Sequence, residues 1–213
     1  QMLGKWMDAL FGSCSGCARC TLNCTVGLNI PKIVRAGRSA IAAMNMVPSE
    51  LQSTVDAAVN TGNNMAIPKA EWLDTISWLN EEVQQELAST VPMFPMDSPG
   101  AKLLYTVNPR EVKFFPMSLM AAAKIFHTAK ESWTFSADHY DVTNYGLFSG
   151  SDEAAGLIAG RLHGAMQKLG CKTLVLGECG HGYLASRWEG PEWLGTAPEF
   201  EIVSIVKVIA DYV

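Results

Sequence analysis

Long apolar runs are missing from this chain: across its 213 residues none approaches the roughly 20 that a membrane-spanning helix needs. No secretory leader is expected from the amino terminus as read, because Lys5 and Asp8 interrupt its apolar residues. There is no excess of positive charge. The net charge of −5 argues against a nucleic-acid binder. Charged residues of either sign make up only 17% against 48% hydrophobic, which excludes a disordered chain and predicts a substantial core. Histidines are few, and His127, His139 and His163 have no partners at ligand spacing, so they read as ordinary helix or loop residues. Acidic residues are absent between Asp8 and Glu50, whereas Arg19, Lys32, Arg35 and Arg38 all fall in that stretch.

Cysteine is present and clustered. Cys14, Cys17, Cys20 and Cys24 form C-x2-C-x2-C-x3-C, the bacterial ferredoxin spacing. Three thiolates two residues apart wrap one face of a 4Fe-4S cubane, and the fourth normally ligates the other cluster of a two-cluster module. Structural zinc usually takes two separated knuckles, and cysteines this close pair poorly as disulfides. The spacing therefore predicts iron–sulfur chemistry in a reducing compartment, the cytoplasm. Four positive charges beside an anionic cluster would stabilise its reduced form, or equally form a solvated face or a docking patch. If Cys24 serves a second cluster, about three more thiolates are needed, and only Cys171 and Cys179 remain. With a start at Gln1 and an end inside an apolar segment at Val213, this predicts a piece of a longer chain.

Along the chain, residues 1–13 predict a short helix with Trp6, Met7 and Leu10 as packing residues. A helix follows Pro31, running from Ile33 to Met44. Ser49 and Gln52 form a capping-box pattern opening a helix to about Val59. From Pro68 to about Leu87, Trp72, Leu73, Ile76, Leu79, Val83 and Leu87 make an apolar stripe, expected to pack on the cluster helices. Residues 1–88 thus read as an all-helical cluster domain and 89–100, with three prolines, as a linker. Residues 101–213 alternate strand and helix, with strands at Leu103–Val107, Trp133–Ser136 and Cys171–Leu176, which predicts a parallel α/β domain. The fold class is therefore α+β overall, a helical iron–sulfur domain followed by an α/β domain.

The last of these strands runs into Gly177-Glu178-Cys179-Gly180-His181, with a helix expected from about Tyr183. Parallel sheets gather chemistry where strands end and helices begin. A thiol at a helix amino terminus is expected to have a lowered pKa, with Glu178 and His181 as proton carriers beside it. The same residues also suit a plain strand-to-helix turn with a free cysteine, and Cys171 reads as a small buried side chain.

Taken together, CSGCARCTLNCTVGLNI, the TGNN of the helical tail, NYGLFSG and LVLGECGHGYLA resemble the heterodisulfide reductase-like iron–sulfur proteins of the D type. These are iron–sulfur subunits of membrane redox complexes in anaerobic sulfate reducers and methanogens. The similarity is greatest to the K subunit of the sulfite-reduction-associated complex and to the matching subunits of the tetrahaem and high-molecular-weight cytochrome complexes. It runs from about residue 5 to residue 190.

The resemblance implies two ferredoxin motifs followed by two cysteine-rich CCG-type domains. The motif here looks like the second of the pair, and the α/β segment looks like a degenerate first CCG domain, incomplete at its carboxyl terminus. In the full pattern paired cysteines and a later C-x2-C bind a catalytic cluster; here GECGH stands in place of the pair and no C-x2-C follows. A catalytic cluster is not supported within this chain, although a following domain would bind one against Cys179. Thr25 also departs from the proline usual after the fourth cysteine. The implied role is an oxidoreductase subunit relaying electrons between a membrane cytochrome b or quinone-reactive subunit, with a cytochrome c partner, and a disulfide on a small carrier protein or coenzyme. It would lie at the cytoplasmic face of the membrane and serve sulfate respiration. The rival readings are a subunit for hydroxyacid or glycerol-phosphate oxidation and a zinc-stabilised interaction module.

Overall fold

The computed structural model describes residues 2–88 and 93–213. Its amino-terminal part is helical. Met2–Met7 (α1) continues as a π-helical stretch, Asp8–Ser13, in which Leu10 alone is buried. Trp6, expected to pack, is instead 57% exposed. After the cysteine loop and the single turn Arg19–Leu22 (α2), Ile30–Ala43 (α3) starts on an Asn29 cap: the side-chain oxygen accepts the Lys32 N–H at 3.2 Å, with Pro31 in the first turn.

Ser49–Thr61 (α4) begins after Pro48 without the expected capping box. Its Ser49 hydroxyl donates to the Glu50 carboxylate at 3.0 Å, so the pattern marks the helix but not its cap. Lys69–Glu86 (α5) buries Trp72, Ile76, Leu79 and Val83, whereas Leu73 and Leu87 are exposed. That stripe does not pack on the cluster helices. It shares a core with the sheet that follows, where Trp72 stacks on Tyr140 at 4.1 Å and meets Phe135 edge-on at 5.2 Å. Residues 89–92 of the proline-rich stretch lie outside the described residues. From 93 onward Met93 and Phe94 are buried in the same core, and Met96 bridges Phe135.

Four parallel strands form the sheet: Leu103–Thr106 (β1), Trp133–Thr134 (β2), Thr173–Leu176 (β3) and Glu201–Ser204 (β4). Their order is β2-β1-β3-β4. β2 is shorter than expected, and β4 was not expected. Pro109–Phe114 (α6) and Met117–Thr128 (α7) connect β1 to β2, while Gly146–Ser149 (α8) and Asp152–Leu169 (α9) connect β2 to β3. Gly180–Leu184 (α10), a π-helical stretch Ala185–Glu189 and Gly190–Leu194 (α11) lead to β4, and Ile205–Asp211 (α12) closes the described chain.

The strands alternate faces with period two. Leu103, Tyr105, Val175 and Val203 join α5, α7 and α12 on one side, whereas Leu104, Leu174, Leu176 and Ile202 meet Leu162, Ala165, Met166 and Leu169 of α9 on the other. Covering both faces explains why β1 and β3 are buried along their whole length. At ~1.5–3 kcal/mol for each fully buried large side chain, these two layers hold the fold together. From β1 the chain winds first to β2 on one side and then to β3 on the other. The carboxyl ends of β1 and β3 therefore flank the topological switch point, where open α/β sheets receive their ligands.

Candidate functional site

Cys14 ends the π-helical stretch in extended conformation, and the loop then turns through left-handed residues at Gly16 (φ 71°) and Ala18 (φ 60°). Ala18 lacks glycine's freedom and bears ~1 kcal/mol of strain there. All four thiols are free; Cys17 and Cys20 are exposed, Cys14 and Cys24 half-buried. The Leu28 N–H donates to Cys24 Sγ at 3.4 Å and holds that thiol below its usual pKa. Cys17 is lowered mainly by the Arg19 N–H and then by the Ser15 hydroxyl. N–H donors on sulfur favour the thiolate, the form that binds iron. The donor set thus fits an iron–sulfur cluster chemically. The thiols do not meet at a common point: among the described residues no three Cys, His, Asp or Glu side chains gather as a metal site.

Arg38 of α3 anchors this loop. Its guanidinium donates from Nε and Nη2 to the Leu10 carbonyl at 2.9 and 2.7 Å, and from Nη2 to the Cys14 carbonyl at 2.5 Å. It lies between the rings of Phe11 and Phe148, 5.5 Å from each. The seam between loop and body closes to a cavity of about 30 Å³, room for about one water, with Gly16, Arg38 and Phe148 on its wall.

The four cations of this stretch do not all stand free. Lys32 pairs with Glu192 at 2.6 Å, and Arg35 pairs with Glu189 at 2.6 Å and with Asp152. These carboxylates come from the α/β segment, far along the chain, which is why a local count missed them. Arg19 alone is exposed and makes no ion pair among the described residues.

On the other side of Phe148 lies the second cysteine site. The Phe148 ring is 5.1 Å from that of His181, Tyr145 is 4.7 Å from it, and His181 Nδ1 is 3.4 Å from Cys179 Sγ. Cys179 lies three residues past the end of β3 and caps α10, the strand-to-helix turn expected from the sequence, and it stands beside the switch point. Its expected acidity is reversed. Burial pushes the Cys179 thiol up to about 11 and holds the His181 imidazole down at about 4, leaving both neutral. The short helix does not outweigh that desolvation. Glu178 is exposed and makes no hydrogen bond among the described residues, so it is not brought to the pair.

Two close backbone approaches build this arrangement. A Cβ on Gly150 (φ 82°) would lie 2.5 Å from Arg38 C and Ser39 N, so α8 ends flush against α3. A Cβ on Gly182 would collide with the Val142 carbonyl oxygen, so α10 seats directly on the loop after β2. Beside it the fully buried Asp141 accepts the Asn64 N–H at 2.7 Å and the Thr143 N–H at 2.6 Å, and burial pushes its carboxyl up to about 7. Sequence reasoning assigned no role to Arg38's loop contacts, Phe148, Tyr145 or Asp141. The available signal was the pairing of glycines with aromatics in NYGLFSG and of asparagines with the buried acid in TGNN and DVTN.

No protein-family model matches the chain, and no solved structure matches it. Two curated proteins do. The chain is 24% identical over 187 residues, 85% of its length and 33% of the relative's, to the "Hdr-like menaquinol oxidoreductase iron-sulfur subunit" of Archaeoglobus profundus. It is 24% identical over 174 residues, 79% of its length and 31% of the relative's, to the "Hdr-like menaquinol oxidoreductase iron-sulfur subunit 2" of Archaeoglobus fulgidus. It spans about a third of the length of these relatives. The chain is a distant homologue of oxidoreductase iron–sulfur subunits of the Hdr-like menaquinol type.

Proposed function

We propose that the chain is the electron-relaying part of an iron–sulfur subunit in a quinol-linked, membrane-associated oxidoreductase complex. The observation that carries this is the run of contacts from one cysteine site to the other. Arg38 bonds the Cys14 carbonyl of the four-cysteine loop and lies over Phe148, Phe148 packs on His181, and His181 meets Cys179. In this reading Cys14, Cys17, Cys20 and Cys24 ligate one or two 4Fe-4S clusters, which supply one-electron redox chemistry when bound. Backbone N–H groups at Leu28 and Arg19 favour the thiolates. Tyr145 and Phe148 keep water from the His181–Cys179 pair. Cys179 keeps its proton until a partner group or a disulfide engages it, so it serves as a latent ligand or thiol-exchange residue, with His181 as the proton carrier and Glu178 at the rim.

Residues 101–213, with α5 packed on their sheet, then act as a degenerate CCG-type domain receiving electrons from the helices around the cysteine loop. The electrons run between a quinone-reactive or cytochrome b subunit and the reduction of a disulfide on a small thiol carrier or coenzyme. Among the described residues no helix is long and apolar enough to cross a membrane.

The test is anaerobic isolation of the full protein with its complex. A visible band near about 400 nm that bleaches with dithionite is expected. Its reduced EPR signal should lose one component in Cys14→Ala, Cys17→Ala or Cys20→Ala, and a different one in Cys24→Ala. A colourless, zinc-containing protein would overturn the reading.

A further inference from the structure

Only two side chains of the acidic and basic types are buried among the described residues, Arg38 at 4% exposure and Asp141 at 5%. They do not pair with each other. Burial pushes the Asp141 carboxyl up to about 7, so below neutral pH it avoids a buried charge by holding its proton. Arg38 has no such escape, because a guanidinium stays protonated under all ordinary conditions.

An isolated buried cation costs several kcal/mol unless an anion answers it. Among the described residues no carboxylate pairs with Arg38, whereas both of its neighbours on α3, Lys32 and Arg35, have theirs. What Arg38 has is two backbone carbonyls, Leu10 and Cys14, and an aromatic ring on either side, Phe11 and Phe148. Arg38 is only 4% exposed, so bulk water screens the charge poorly. Its hydrogen bonds among the described residues run from Nε and Nη2 alone; burial works against its charge, and the neighbouring Cys14 works for it. The groups that Arg38 touches are thus neutral, and Lys32, Arg35 and Glu189, which line the same small cavity, are held in ion pairs.

We propose that Arg38 is the fixed countercharge of the anionic group that the Cys14–Cys24 loop holds, and so the residue that sets how readily that group accepts an electron. This rests on the iron–sulfur reading above. One-electron reduction adds one negative charge at the loop while Arg38 keeps its proton, so the attraction grows in the reduced form and favours it. The other cations of the stretch contribute little: two are neutralised by carboxylates, and Arg19 is exposed and screened by salt.

The experiment compares Arg38→Lys, Arg38→Met and Arg19→Ala in the full protein, before and after anaerobic reconstitution with iron and sulfide. Two quantities are read: the midpoint potential in a dithionite titration, and the rise in melting temperature on loading. Arg38→Lys loses the guanidinium fork but keeps the charge, and should stay near wild type in both. Arg38→Met should show a lower midpoint and a smaller rise on loading, and Arg19→Ala should show neither change. Equal shifts in the Lys and Met variants would overturn the proposal, because loop geometry rather than charge would then be responsible. So would an unchanged midpoint in Arg38→Met. If Arg38→Met failed to fold before loading while Arg38→Lys folded, the charge would be needed without any anion, and the proposal would also fall. Failure of both to fold would reduce Arg38 to a clip. A wild-type protein that takes up no iron and sulfide would instead overturn the iron–sulfur reading itself.

Discussion

Replacing Asp141 with asparagine tests how the fold is held at its switch point. The buried carboxyl accepts two backbone N–H groups, from Asn64 and Thr143, and titrates at about 7 rather than 3.8. A carboxyl with a raised folded-state pKa binds its proton more tightly in the folded chain. Its contribution to stability is complete below the unfolded pKa and is lost as pH rises from about 4 to about 7. At 1.36 kcal/mol per unit, the part of that loss lying between pH 5 and pH 8 is ~2.5 kcal/mol. His139, His163 and His181 act in the opposite sense: burial keeps them neutral when folded, so they lose stability as pH falls below about 6.5. The difference between wild type and variant cancels them. Asparagine offers one oxygen to two donors and should cost ~1–3 kcal/mol at pH 5. Urea unfolding at a fixed state of cluster loading should show that gap narrowing by ~2.5 kcal/mol by pH 8. Parallel curves for the two proteins would refute the assignment of a buried, proton-holding Asp141.

Gly150→Ala and Gly182→Ala each drive a methyl into backbone atoms within 2.5 Å, and should each lower stability by ~2–4 kcal/mol in thermal melts. Arg35→Ala leaves the mostly buried Glu189 without its partner and should cost ~2 kcal/mol, whereas Lys32→Ala, at an exposed pair, should cost less than ~1 kcal/mol by denaturant titration. Cys179→Ser is nearly isosteric and should leave the melting temperature and the loop's spectrum unchanged while abolishing disulfide reduction by the assembled complex. Full activity would leave that segment a turn.

The sheet and its chemistry-bearing end were legible because they are local. Short, mostly apolar runs marked β1 and β3, and glycines around Cys179 marked the strand-to-helix turn. The cysteine loop was legible from spacing alone. What was not legible depends on partners distant in sequence. The α5 stripe announced burial but not which surface would cover it, and that surface proved to be the sheet. The α3 cations announced charge but not the carboxylates 117 to 160 residues away. β4 begins with an exposed glutamate and has only two buried residues, too weak a pattern to stand out. The acidity expected of Cys179 failed for a related reason: the aromatic wall that dehydrates the site is contributed by residues more than thirty positions earlier.

The helical rod from Gly180 to Leu194 starts at the second cysteine and returns Glu189 and Glu192 to α3, the helix that carries Arg38. With Phe148 closing the other side, the two cysteine sites lie on one ring of contacts rather than at two ends of a line. In a closed ring, strain introduced at either site is felt at the other, and by linkage the coupling is equal in both directions. A mixed disulfide formed at Cys179 should therefore change the affinity of the loop for iron by the same factor by which loading the loop shifts the equilibrium of that disulfide. A factor of one, measured either way, would mean that the ring has slack.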